Sequence, residues 1–475
     1  MKKKTVCVLL TSLVVCGVLA GCGKSNSNSK SETAEGSKTT ITLGKEIQVE
    51  GSGATVSGDT ITIFQGGTYD ISGESDQVAV VVDTKQDVSI VLNGATMSNQ
   101  QGSVIYGKQS KSITIETAEG TVNTLSDGSS YSGDEEQKAV ISSNDDLIFT
   151  GEGNLTTTGN YKHCISGDDS ITFQGGTYDL TATVKDGVHC NDVITVEGGT
   201  FTISAVSDCM ESEGDLTISG GTITGESQDE GLEGKNDITV NGGNISLTVT
   251  DDGLNAGNAI TIEEGEIEIT TTQGDAMDSN GSFIINGGKI VAYGGSAPEG
   301  ALDCDKAQIA INGGTIIAVG DANSEISTDS KQASVLLGQY NKGDVIAITT
   351  EDGDEVISFT LKEARGNVIV SSEKLSQGAT YKVMVNDSQD RTFTVDSSVV
   401  SAGGSANVMG GGKVGGMGQG GKMQRPEGMD GEAVQDGQFP GKPSQGDMPQ
   451  GEPPEGAEMP DFSKELGQSQ NDNGI

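Results

Sequence analysis

Thr250–Gly265 reads TDDGLNAGNAITIEEG, and 22 residues earlier Gln228–Gly243 reads QDEGLEGKNDITVNGG. Both place two acids and a Gly before a Leu, then a short β-patterned run, then a Gly turn. The same phrase recurs as ITFQGGTYDLTAT, ITVEGGTFTISAV, LTISGGTITGES, FIINGGKIVAYG and IAINGGTIIAVG. The residues at the first turn position are Gly175, Gly198, Gly220, Gly242, Glu264, Gly287 and Gly313, separated by 23, 22, 22, 22, 23 and 26 residues. A fixed period near 22, with alternating strands and no helical spacing, is the mark of a parallel β-helix. A β-sandwich would not keep such a clock. Looser matches at Gly66, Gly94, Glu119 and Glu152 extend the count to about eleven coils, a rod roughly 50 Å long at the usual strand spacing.

Aligning the coils exposes three columns. The apolar one is Ile165, Val188, Met210, Leu232, Leu254, Met277 and Leu302. One position later stand Ser166, His189, Glu211, Glu233, Asn255, Asp278 and Asp303; two positions earlier stand His163, Asp186, Asp208, Glu230, Asp252 and Asp275. If the apolar residue fills the core, its neighbours are expected to face water. Stacked unit charges about 4.8 Å apart repel by roughly 3 kcal/mol at an effective dielectric of 20, so the columns call for neutralisation. Turn preference for Asp and Asn explains some of these acids. It does not explain two acidic columns flanking one apolar position. Ca²⁺ takes six to eight oxygens in loose geometry and can bridge successive coils, whereas Mg²⁺ demands an octahedron and zinc wants more Cys and His. The expected calcium ligands are Asp208, Glu211, Asp229, Glu230, Glu233, Asp251, Asp252, Asp275 and Asp278.

The rest of the chain reads differently. Lys2-Lys3-Lys4, an apolar run to Leu19 and LAGC ending at Cys22 form a lipoprotein signal, with Cys22 as the lipidated residue. Residues 23–40 form a polar tether, 41–324 the β-helix, and 325–400 a small antiparallel β domain that would cover the open end of the helix. Residues 401–475 hold seven of the eight Pro and six of the eleven Met, and read as a disordered tail rather than a copper site. The fold class is therefore all-β: a right-handed parallel β-helix, a small β domain and a tail. With 69 acids against 28 Lys plus Arg and a formal charge of -41, nucleic acid is excluded as a partner.

Of seven Cys, four remain beyond Cys22: Cys164, Cys190, Cys209 and Cys304. Cys164 and Cys209 share a column two coils apart, too far for a disulfide; Cys190 and Cys209 lie on adjacent coils in different columns and stay open as a pair. Mostly free thiols are expected. His163 and His189, the two His of the chain, fall one coil apart in different columns and read as solvent-facing or supporting residues.

The lipobox, the Ser/Asn tether, coils such as DGLNAGNAITIEEG and NGGTIIAVG, the segment GDVIAITTEDGDEVISFTLK and the Gly/Met/Pro tail together resemble the exported carbohydrate-binding β-helix lipoproteins of anaerobic bacteria. The resemblance spans roughly residues 41–400. It implies binding of cellulose-type and polygalacturonate-type polymers, calcium on the helix, and a distant likeness in fold to family 9 pectate lyases. The family's acidic turn matches Asp208, Asp229, Asp252 and Asp275. A lyase would also need a cationic or basic side chain near calcium, and Lys235 is the one candidate beside the acids, Lys162 and Lys185 lying across the apolar column. The leading expectation is a surface-anchored, non-catalytic binder of polysaccharide. A calcium-dependent lyase and a purely structural adhesion protein are the alternatives.

Overall fold

The computed structural model describes residues 38–132 and 136–404. The signal with Cys22, most of the tether and all but the start of the tail lie outside the described residues. The chain winds into a right-handed parallel β-solenoid of about eleven turns, followed by a small antiparallel sheet.

Each regular coil contributes three strands; Val188–Cys190, Val193–Val196 and Thr200–Ala205 make one, and Met210–Ser212, Leu216–Ile218 and Thr222–Ser227 make the next. Burial alternates along them, as in Asn244–Val249, where every second side chain enters the core. Equivalent inward residues stack coil on coil. Ile194, Leu216, Ile238, Ile260 and Phe283 form one such ladder, each at most 1% exposed. Full burial of such a side chain stabilises by about 1.5–3 kcal/mol, and the ladder repeats that gain on every coil. Aromatic stacking adds to it where Tyr178 meets Phe201 at 4.8 Å between ring centroids. On the outer surface Thr202, Thr224, Ser246 and Glu268 stand in register as a polar ladder.

The Gly turns answer a backbone demand. Gly243 has a φ of 92°, and a Cβ there would lie 3.1 Å from the backbone of Gly220 on the coil below. The constrained position is thus the second of the pair, which is why Glu264 can occupy the first while Gly265 keeps a φ of 118°.

The last coil does not end on an open edge. Its strand Thr315–Gly320 pairs antiparallel with Asn367–Ser372, which in turn pairs with Ser334–Gln339. Beyond these, Val345–Thr350, Glu355–Thr360, Thr380–Val385 and Ser388–Thr394 form a four-stranded antiparallel sheet with its own core around Ile346, Ile348, Tyr381 and Val383. Such pairing blunts an edge that would otherwise template aggregation. The four cysteines are buried and free, and burial pushes the Cys164 and Cys209 thiols up to about 12. Among the described residues no helix is long and apolar enough to cross a membrane.

Candidate metal centre

The register read from the sequence places the acids. Ile165, Val188, Met210, Leu232, Leu254, Met277 and Leu302 pair in succession along the narrow sheet, so Glu211, Glu233, Asn255, Asp278 and Asp303 stack one position on. They do not face open water. Asp186 is fully buried, Asp208 is 3% exposed and Asp275 is 7% exposed, while Glu211, Glu230, Asp252 and Asp278 are half-buried. The column two residues earlier falls on the core side with the apolar residue, as alternation requires, and from Asp186 onward it lies in the turn, where the side chain tucks against the next coil.

One carboxylate oxygen of this turn column has a structural duty. Asp186 Oδ1 accepts the backbone N–H of Asp208 at 3.3 Å, Asp208 Oδ1 that of Glu230 at 3.0 Å, and Asp252 Oδ1 that of Asp275 at 2.7 Å. Asp275 Oδ1 does the same for Gly300. These bonds satisfy turn amides that have no strand partner, and they leave the second oxygen of each carboxylate for another ligand.

The acids gather into groups whose ligand atoms lie within 4.8 Å of one another: Asp186, Asp208 and Glu211; Asp208, Glu230 and Glu233; Asp229, Glu230 and Asp251; and Asp275, Asp278 and Asp303. Of the expected ligands, only Asp252 falls outside these groups. Asp186 and Asp303, which stood in the columns but not among the expected ligands, belong to them. Burial, reinforced by neighbouring carboxylates, pushes Asp252 up to about 7 and Asp278 up to about 6, and raises Asp208 and Asp275 well above the ordinary carboxylate range. Asp278 Oδ1 is buried with no hydrogen-bond partner. An oxygen-only donor set, a pent-up negative charge and an orphaned carboxylate oxygen together fit a hard divalent cation such as Ca²⁺.

The amino-terminal stretch of the column is chemically different. Lys235 Nζ sits 2.6 Å from Glu233 Oε2 and 3.2 Å from Glu211 Oε1. Partial burial works against its charge, but the two carboxylates outweigh this and hold the ammonium protonated. Asn255 Nδ2 donates to Glu230 Oε1 and Glu233 Oε1 at 3.4 and 3.5 Å. His189 Nδ1 lies 3.0 Å from Glu211 Oε2 and 3.4 Å from Asp186 Oδ2, and the His163 and His189 rings stack at 4.6 Å. Burial disfavours the His189 cation, yet Asp186 and Glu211 push it up to about 9; His163, buried more deeply, stays below its ordinary value. Neither His faces solvent freely, and the turn brings their two columns together.

A family model described as carbohydrate-binding domain-containing protein matches residues 57–296 and 212–421, which together span most of the chain. The chain belongs to the carbohydrate-binding domain-containing protein family. A relative of the same description from Acetivibrio thermocellus is 28% identical over 167 residues, 33% of this chain and 58% of its own length. The match therefore spans less than two thirds of that relative. A solved structure described as the polysaccharide lyase-like protein from C. thermocellum, in a gadolinium derivative, is similar at a TM-score of 0.43 and 26% identity, over 50% of this chain and 97% of that one.

Proposed function

We propose that this carbohydrate-binding family member is an exported polysaccharide binder, anchored to the outer face of the cell membrane by lipid on Cys22 and loaded with calcium along its acidic column. The observation behind this reading is the group Asp275, Asp278 and Asp303, whose carboxylates converge from successive coils without a cation of the chain beside them among the described residues. A Ca²⁺ ion held there by protein oxygens keeps coordination positions for uronate carboxylates and sugar hydroxyls, and it reverses a field that would otherwise repel an acidic polymer. The polar ladder of Thr202, Thr224 and Ser246 supplies a flat hydrogen-bonding surface for a linear chain. With no Trp in the sequence, stacking on sugar rings is a minor contribution.

Binding without cleavage is the favoured form. Of the Lys and Arg side chains a lyase of this kind would call on, Lys235 is the candidate beside the acids, and its ammonium is held between Glu211 and Glu233, which works against proton abstraction. The test is a depletion assay with polygalacturonate, cellulose and xylan, each in calcium and in chelator, with ultraviolet absorbance followed for unsaturated uronates. Calcium-dependent retention with flat absorbance is expected. Retention unchanged by chelator would sink the calcium role, rising absorbance would establish a lyase, and no retention on any polymer would leave a structural surface protein.

A further inference from the structure

His163, Asp186 and His189 form a group of their own, with ligand atoms within 4.8 Å of one another, at the amino-terminal end of the acidic column. An ordinary ion pair accounts for part of it: His189 Nδ1 is bonded to Glu211, and Asp186 Oδ1 accepts the Asp208 amide. It does not account for the remaining two atoms. His163 Nδ1 and Asp186 Oδ2 approach to 2.9 Å, an ion-pair contact in which neither atom makes a well-formed hydrogen bond, and both are buried. His163 is 5% exposed and Asp186 is 0% exposed, so water does not reach them.

From this we infer that His163, Asp186 and His189 bind one divalent transition-metal ion of the zinc class, with Glu211 closing the site. Two ligands on a tetrahedral ion with bonds of about 2.1 Å stand roughly 3.4 Å apart, and on an octahedral ion roughly 3.0 Å. The 3.4 Å from His189 Nδ1 to Asp186 Oδ2 and the 2.9 Å from His163 Nδ1 to the same oxygen fall on those edges. Imidazole nitrogen selects zinc, cobalt, nickel or copper over calcium, which takes oxygen. Two neutral imidazoles and two carboxylates cancel a double positive charge, so the buried site is neutral when filled. The donors come from three successive coils, on or beside the strands His163–Gly167, Val188–Cys190 and Met210–Ser212. The ion therefore pins those coils together as a closed, structural centre. This site shares Asp186 and Glu211 with the first oxygen group, but the calcium reading rests on Asp275, Asp278 and Asp303, so either can fail alone.

The experiment uses the purified full-length chain, stripped with chelator and then held in excess Ca²⁺ to fill the oxygen sites. Co²⁺ is titrated in, followed by Zn²⁺. One equivalent of Co²⁺ should develop visible ligand-field bands of mixed nitrogen and oxygen coordination, bleached by Zn²⁺ and untouched by further Ca²⁺. His163→Gln and His189→Gln should each weaken Zn²⁺ binding by at least about tenfold while leaving the calcium response of the melting temperature intact. Since either variant could misfold, X-ray absorption at the zinc edge of the unaltered protein serves as the second measurement, with two imidazoles expected. A Co²⁺ spectrum that stays that of the hydrated ion, displacement by Ca²⁺, or an all-oxygen zinc shell would overturn the site.

Discussion

Between His163 and Lys235 the acidic column is interleaved with the chain's own basic groups: two imidazoles and one ammonium sit among Asp186, Glu211 and Glu233. From Asp252 to Asp303, the same two columns run on with no ion pair among the described residues, and Asp303 is steadied only by the Ser324 hydroxyl. One architecture thus solves one electrostatic problem in two ways. Where a cation is built in, the carboxylates it touches are offset before any ion arrives, although Asp208 in the same stretch remains raised. Where it is not, folding leaves carboxylates raised in pKa and waiting for a partner. The contrast says that stacking creates the demand for positive charge, while the local sequence decides whether a side chain or a metal ion meets it.

The sharpest way to break this contrast is Asp278→Asn. Asn is nearly isosteric and removes one charge from a group with no internal cation. In chelator, the variant should melt a few degrees above the parent, because a repulsive neighbour of Asp303 is gone. In millimolar Ca²⁺ the order should reverse, since an ion at a hundred times its Kd stabilises by about 2.7 kcal/mol per site and the variant forfeits much of that. Differential scanning fluorimetry in both buffers reads the crossing. Parallel shifts of the same sign would mean that Asp278 is not a calcium ligand. Glu233→Gln, at a carboxylate already paired with Lys235, should show no such crossing.

The two stretches should also part company with pH in chelator. A free carboxyl titrates near 3.9, but the folded chain holds Asp278 near 6 and Asp252 near 7. Between those values the folded state binds more protons than the unfolded state, so stability falls as pH rises from about 4 through 7. Calcium should flatten this slope by favouring the ionised form. His189 is raised for a different reason, its cation being favoured by Asp186 and Glu211: with its pKa moved from about 6.5 to about 9, its stabilisation is fully present below 6.5 and is lost as pH rises through 9. A melting profile in chelator should therefore show a decline from about pH 4 to 7 from the carboxylates and a further decline from about 6.5 to 9 from His189. A flat profile from 4 to 8 would contradict the buried, unneutralised carboxylates.

The stacked register was legible because a 22-residue clock fixes it: once Leu254 is set beneath Met277, Asn255 must lie beneath Asp278. The columns, the free thiols and the closing antiparallel strands follow from periodicity and hydrophobic pattern alone. Three features were not legible. The column of Asp186, Asp208, Asp252 and Asp275 was expected to face water, but its oxygens turn inward to accept backbone amides, a duty set by turn geometry rather than residue type. His163 and His189 looked separate because they occupy different columns, yet the turn folds one column beside the other and stacks their rings. The Gly column was aligned on its first member, whereas in the regular coils the positive φ belongs to the second, and Glu264 and Glu119 were the hints of it.

Lys235→Ala offers the smallest change and the closest test of the substitution of side chain for ion. The Lys235 side chain is 41% exposed, so solvent screens the pair and its loss should cost only about 1 kcal/mol in chelator. The larger consequence is chemical. Removing the ammonium leaves Glu211 and Glu233 facing each other on adjacent coils, with Glu230 and Asp208 close by, which recreates in the amino-terminal stretch the condition already present around Asp278. The variant should then respond more strongly to Ca²⁺ than the parent does, binding additional calcium by isothermal titration and regaining in calcium the stability it lost in chelator. Lys235→Arg, which keeps the charge, should not. If Lys235→Ala loses stability equally with and without calcium, the lysine is a packing residue and the equivalence between built-in cation and bound ion fails at the one place where a single side chain can test it.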